Sequence, residues 1–79
     1  MSKYGKIIKR MRDNPRDDWR IEDVKKVADR HDIDYRQPGT SHVTFRRNDG
    51  EKLTIPAHKP IKPIYIKMFI EFLEDGGLI

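Results

Sequence analysis

Residues 42–57, with the sequence HVTFRRNDGEKLTIPA, contain the pattern that decides the fold. Apolar and polar side chains alternate on both sides of a central Asn-Asp-Gly, and this alternation is the period of a half-buried β-strand. Asn, Asp and Gly are residues that tight turns favour. The stretch therefore predicts a β-hairpin with strands at His42–Arg47 and Glu51–Ala57.

The length of the turn follows from which side chains must share a face. Directly opposed residues of an antiparallel pair lie on the same face of the sheet. A two-residue turn would set Phe45 opposite a threonine and mix the two faces. A three-residue loop sets Phe45 opposite Leu53, and it commonly carries one left-handed residue, which Gly50 supplies. This register brings His42 level with Pro56, and the proline predicts that the second strand of the hairpin lies at the sheet edge.

The sequence on either side of the hairpin predicts one further strand and three helices. Ile33–Arg36 alternates as a strand does, and the turn residues Pro38-Gly39 end it. Amphipathic periodicity predicts helices over Ser2–Arg12, over Ile21–His31 and from Pro63 to Gly76-Gly77. The order α-α-β-β-β-α predicts a small α+β fold, in which a three-stranded antiparallel sheet carries helices on one face.

The start of the second helix has two possible caps. Asp18 is the better capping residue by type. With Arg20 as the cap, Trp19 and Val24 form a hydrophobic staple and Asp23 occupies the third helical position. We favour Arg20 because this choice gives the single tryptophan a buried partner.

Length and composition limit the classes of function. The 79 residues suffice for one small domain, and 17 Lys and Arg against 13 Asp and Glu give a net charge of +4. This excess favours a polyanionic partner or an acidic protein that covers the same surface. The absence of cysteine excludes disulfides and zinc–thiolate sites. No apolar run is long enough to span a bilayer, so we expect a cytoplasmic protein with no membrane partner.

Several short motifs give the chain a family resemblance. They lie at Tyr35-Arg36-Gln37, at Ser41-His42 with Phe45 three residues on, at Asp49-Gly50, at Leu53 to His58 and at Ile61-Lys62-Pro63. In this order and spacing the chain resembles the HicA-type toxins, small messenger-RNA interferases of type II toxin–antitoxin systems. The element order, with a basic loop before the last helix, also resembles the double-stranded-RNA-binding fold, whose members read helix shape through minor-groove and phosphate contacts.

The resemblance implies a metal-independent endoribonuclease whose essential residue is the histidine of a Gly-Ser-His motif. Ser41 and His42 match that motif, while Thr40 stands where the family usually has glycine, with Gly39 one position earlier. A second departure is Asp32, which follows the second helix where relatives often have glycine. Asp tolerates the left-handed conformation better than most residues do.

The resemblance also implies how the chain is divided into domains and which partners it has. It covers residues 19–76 as the toxin domain and leaves residues 1–14 as an amphipathic helical extension. It implies messenger RNA as substrate, a cognate HicB-like antitoxin as partner and no cofactor. The basic face of the first helix is explained by solvation alone, and direct RNA contact is the alternative.

Residue chemistry independently suits an RNA substrate. RNA carries its own nucleophile, the 2′-OH, so a protein need only remove that proton and stabilise the phosphorane. We predict that His42 is the general base and that Arg46 or Lys59 stabilises the developing charge. Ser41 is a candidate supporting residue through the matched motif. His58 is the candidate leaving-group acid if its loop folds back toward the second strand.

The remaining basic and titratable residues have weaker assignments. Lys59, Lys62 and Lys67 surround the start of the last helix, where the helix dipole favours phosphates, so we predict RNA contact for at least one of them. His31 is expected to interact with the terminal carbonyls of its helix. Three histidines invite a metal hypothesis, but no His-x₃-His helix or clustered carboxylate supports it.

Two alternatives to an endoribonuclease toxin remain open at the level of sequence. The first is a non-catalytic RNA-binding domain on the same fold, which would bind RNA with a steep salt dependence and leave it intact. The second is an interaction module that only binds an antitoxin-like partner. The Ser41-His42 pair followed by Phe45 is the feature that favours the catalytic hypothesis.

Overall fold

The computed structural model describes residues 3–39 and 41–79, with the side chains of Lys3 and Tyr4 left out. Its elements are α1 (Lys3–Asp13), α2 (Ile21–Arg30), β1 (Asp34–Arg36), β2 (His42–Arg46), β3 (Lys52–Pro56) and α3 (Pro63–Asp75). The α+β fold and the order α-α-β-β-β-α are therefore confirmed. The observed ends differ from the predicted ones by one residue at several positions, within the usual fraying of element ends. The predictions for Ser2 and Thr40 lie outside the described residues.

The three strands form one antiparallel sheet in the order β1-β2-β3, with β3 at an edge. Phe45 is opposite Leu53 and His42 is opposite Pro56, as the parity of the hairpin predicts. Gly50 closes the three-residue loop with φ +93°, the left-handed conformation that favours glycine. Asp32 also adopts a left-handed conformation, with φ +55°.

The sheet has one apolar and one polar face. Val43, Phe45 and Ile55 are fully buried on the inner face. The Phe45 ring lies between those of Tyr35 and Phe69, with centroid distances of 5.7 and 5.5 Å. Alternate residues of each strand point to the opposite face, so the second face of the sheet carries mostly polar side chains, most of them exposed.

The start of α2 confirms Arg20 as its cap. The backbone N–H of Arg20 donates to Asp23 Oδ2 over 3.0 Å, which is one of the two contacts of a capping box. Trp19 and Val24 are both buried, as the staple predicts. The indole Nε1 of Trp19 donates to the carbonyl oxygen of Asn14 over 2.7 Å, and this bond holds the link between α1 and α2.

The first helix shares the core of the rest of the described chain. Ile8 and Met11 on α1 are buried in the same apolar cluster as the sheet and α3. Arg12 lies 3.6 Å from Glu74 at the end of α3, although both side chains are about half exposed and the pair contributes little. The described part of the predicted extension thus belongs to the packing of the fold, because α1 lies against α3.

One arginine ties the hairpin loop to the end of α3. The Arg47 side chain is 10% exposed, and its Nη1 donates to the carbonyl oxygen of Phe72 over 2.8 Å. Its Nε and Nη2 donate to the two carboxylate oxygens of Asp49 over 3.1 and 2.8 Å. The guanidinium also lies 4.7 Å from the centroid of the Phe72 ring. Hydrogen bonding to Arg47, together with the Glu51 backbone N–H, lowers the pKa of Asp49 from its ordinary value of 3.8.

His31 contacts the terminal carbonyls of α2 through its backbone. The backbone N–H of this residue donates to the carbonyl oxygens of Val27 and Ala28 over 3.2 and 3.1 Å. The imidazole Nε2 is buried and has no hydrogen-bond partner among the described residues. The backbone itself satisfies these carbonyls, so the imidazole is not needed there.

None of the helices within the described ranges is both long and apolar enough to cross a membrane.

Candidate functional site

His42 occupies the first position of β2, on the exposed outer face of the sheet. The strand pairing fixes it opposite Pro56, the last residue of β3. Just outside this pair, the backbone N–H of Ala57 donates to the carbonyl oxygen of Ser41 over 2.8 Å. His42 is therefore held at the end of a rigid hairpin, with the β3–α3 loop beginning beside it.

The β3–α3 loop is held against the core by Ile61. Ile61 is 1% exposed, and its backbone N–H donates to the carbonyl oxygen of Trp19 over 2.7 Å. The Lys59–Pro60 peptide bond of this loop is cis. With the middle of the loop anchored, exposed His58 is brought back towards the hairpin end, as the leaving-group hypothesis requires.

The start of α3 forms the other side of the site. Lys62 is the N-cap residue, with extended backbone, and Pro63 occupies the first turn, where its missing N–H has little cost. The backbone N–H of Tyr65 donates to the carbonyl oxygen of Lys62 over 3.0 Å, so both side chains belong to the first turn. The positive end of the helix dipole therefore lies at the same place as the Lys62 ammonium.

These three segments enclose one open pocket of about 230 Å³, lined by His42, Pro56, His58, Lys62 and Tyr65. Two imidazoles, one ammonium and one phenol thus share a single concave surface at the end of the hairpin. Neither imidazole has a hydrogen-bond partner within residues 3–39 and 41–79, so both keep their ring nitrogens available to a ligand.

The other predicted site residues lie away from this pocket. Arg46 is on the same face but four positions along β2 from His42, which is about 13 Å in an extended strand. Ser41 contributes its backbone carbonyl, and Lys59 is exposed in the loop. Lys67 lines a separate depression between α1 and α3. Of the predicted cations, Lys62 is the one that lines the pocket.

Tyr65 is the site residue that the sequence reasoning missed. It is half-buried and lies next to Ile66, which is part of the buried stripe of α3. The signal was present, because placing Pro63 in the first turn puts Tyr65 in the same turn as Lys62, beside the predicted phosphate position.

The arrangement can support proton transfer at an anionic substrate. An imidazole accepts or donates a proton near neutral pH, and two of them can serve as a base and an acid in one reaction. The Lys62 ammonium and the N-terminus of α3 can stabilise a phosphoryl oxygen. A phenol such as that of Tyr65 can donate a hydrogen bond to the same group.

No group of three or more His, Asp or Glu side chains in the described part of the chain is placed to hold a metal ion.

Comparison with known proteins gives no family for this chain. No family model matches it, and neither the curated proteins nor the solved structures include a significant match.

Proposed function

We propose that this protein is a HicA-type toxin of a type II toxin–antitoxin system, an endoribonuclease that cleaves messenger RNA in the cytoplasm without a metal ion. The observation that carries the proposal is the shared pocket of His42 and His58 beside the Lys62 ammonium. The order of the sequence motifs from Tyr35 to Pro63 gives it further support.

The proposed reaction uses the 2′-OH of the RNA as the nucleophile. His42 accepts the 2′-OH proton while the 2′-oxygen attacks the adjacent phosphorus. His58 donates a proton to the departing 5′-oxygen, so the products are a 2′,3′-cyclic phosphate and a 5′-hydroxyl. Lys62 and the N-terminus of α3 stabilise the negative charge of the phosphorane. This assignment moves the charge-stabilising role from Arg46 or Lys59 to Lys62, because Lys62 lines the pocket.

The proposal includes regulation by a protein partner. An exposed site of this kind would act on any accessible RNA in the cell, so the proposed toxin requires an inhibitor that covers it. A cognate HicB-like antitoxin that covers His42 and the surrounding basic surface fills that role, and the net charge of +4 favours an acidic partner.

The test combines growth arrest with cleavage in vitro. Expression of the wild type from a tightly controlled promoter should arrest growth, while His42→Ala should not. The purified protein should cut single-stranded RNA in EDTA, and His42→Ala should lower the rate by about 10² to 10⁴, the usual contribution of a general base. His58→Ala should lower it by a similar factor and leave the affinity for RNA nearly unchanged.

His31→Gln is the matched control, because it removes the one imidazole that lies outside the pocket. It should retain wild-type cleavage and toxicity. Equal growth arrest by His42→Ala, or a strict need for a divalent metal ion, would contradict the mechanism. Binding of RNA without cleavage by the wild type would identify the non-catalytic RNA-binding domain instead.

A further inference from the structure

A second concave surface lies on the outer face of the sheet, away from the pocket of His42. This outer-face groove has a volume of about 440 Å³ and is lined by Asp34, Tyr35, Arg36, Thr44, Arg46 and Lys52. Three of these six residues are cationic and one is anionic, while the Tyr35 ring packs against Phe45 on the inner face. The groove therefore forms a concentrated positive surface on a face that no helix covers.

The three cations of the groove form no ion pair with any residue that the structure describes. Arg46 is directly opposite Lys52 in the pairing of β2 with β3, and like charges in this position destabilise a sheet. Asp34 is opposite Arg46 on the other side, but the two form no ion pair within 4.0 Å. Arg36 also forms no ion pair with another described residue. An anionic ligand would relieve this repulsion.

The groove and the pocket lie on the same face of the same strand. His42, Thr44 and Arg46 alternate along β2 and point outward. The surface between the two sites is polar, because the hydroxyls of Thr44 and Thr54 are 3.0 Å apart and form a hydrogen bond across the hairpin. A chain of phosphates that starts at His42 can therefore continue into the groove without crossing an apolar ridge.

We propose that the outer-face groove binds a single-stranded segment of the RNA substrate next to the cleaved phosphate, with Arg36, Arg46 and Lys52 contacting successive phosphates. This inference rests on the proposed function for its substrate. A single strand fits because attack by the 2′-oxygen in line with the departing oxygen needs a backbone conformation that a regular A-form duplex does not offer. Positively charged grooves that follow the backbone are the usual means of binding single strands.

The test measures binding in a His42→Ala background, so that cleavage cannot interfere. The double variant Arg36→Gln/Lys52→Gln removes two positive charges from the groove and keeps Arg46. For a single strand, each lost phosphate contact lowers the salt slope of the affinity by about 0.7. The parent should therefore lose about sevenfold more affinity than the double variant between about 50 mM and 200 mM salt.

The control removes the same charge from the helical layer. Lys6→Gln/Lys9→Gln changes two exposed residues of α1, which packs against α2 and α3. This pair should retain the affinity and the salt slope of the parent. Equal losses of RNA affinity and of salt slope in the two double variants would overturn the inference, because they would show that binding responds to net charge alone.

Cleavage separates this inference from the proposed function. With His42 restored, the groove variant should raise the KM for a longer unstructured RNA, leave its kcat unchanged and leave the cleavage of a dinucleotide unaffected. If the wild type does not cleave RNA but the groove variant still binds RNA more weakly than the parent, the nuclease function is refuted and the RNA-binding role of the groove is retained. Unchanged RNA binding by the groove variant, together with loss of binding to an acidic peptide, would overturn the inference and assign the face to a protein partner.

Discussion

Replacing Arg47 with lysine should weaken the fold strongly although the charge is kept. Arg47 makes contacts in three directions: to the Phe72 carbonyl oxygen, to both oxygens of Asp49 and to the Phe72 ring. A lysine has one compact ammonium in place of the planar fork, so it can keep only one of these contacts well.

The size of the effect follows from the environment of each contact. The hydrogen bond from a charged donor to the largely buried Phe72 carbonyl contributes about 1.5–3 kcal/mol. The Asp49 side chain is about half exposed, so water screens its pair with Arg47 and this pair is a minor part of the effect. The cation–π contact of the guanidinium with the Phe72 ring adds about 0.5–1 kcal/mol. We expect Arg47→Lys to lower the free energy of unfolding by about 2 kcal/mol, which corresponds to a fall in Tm of about 8–16 °C for a domain of this size.

The assay is thermal and urea unfolding followed by circular dichroism, with Arg46→Lys as the matched control. Arg46 is the neighbouring residue, but it is exposed and forms no ion pair with another described residue. Its replacement should change the free energy of unfolding by less than about 0.5 kcal/mol. A change for Arg47→Lys that is no larger than that of the control would refute the role of the guanidinium fork.

Two further predictions concern pH and the first helix. The pKa of Asp49 is lowered in the folded state, chiefly by its hydrogen bond to Arg47, so the stability it contributes is present above its ordinary pKa of 3.8 and is lost as pH falls through the lowered value. The difference in Tm between the wild type and Asp49→Asn should therefore shrink between about pH 5 and pH 2, and a constant difference would contradict this. Met11→Ala should lower the free energy of unfolding by about 2–5 kcal/mol because Met11 is fully buried, and a loss as small as that of exposed Lys9→Ala would show that α1 is not part of the core.

The sheet could be predicted in detail because its constraints are local. A slip of one residue in the hairpin would move Phe45 from the buried face to the exposed one, so only one loop length suits the pattern. The choice of Arg20 over Asp18 as the cap was also local, since it depended on pairing Trp19 with Val24, five residues further on. In both cases the deciding groups are close in sequence and their geometry is nearly fixed.

The composition of the pocket could be predicted only in part because it depends on a contact distant in sequence. The hydrogen bond from Ile61 to the Trp19 carbonyl oxygen sets the path of the β3–α3 loop, and no periodicity indicates it. As long as the path of this loop is unknown, Arg46 and Lys59 are reasonable candidates for charge stabilisation beside His42, and nothing in the sequence singles out Lys62. The stripe of α1 similarly predicted a buried face without identifying α3 as the element that buries it.

The packing of α1 against α3 has a consequence for synthesis on the ribosome. These are the first and last helices of the described chain, so the core cannot close until the last helix has been translated and released. Lys62 and Tyr65, which complete the pocket around His42, arrive with the same helix. A nascent chain that stops before Pro63 has neither a closed core nor an assembled site. Any activity that needs this pocket, including the proposed cleavage of RNA, therefore has to wait until α3 has been synthesised.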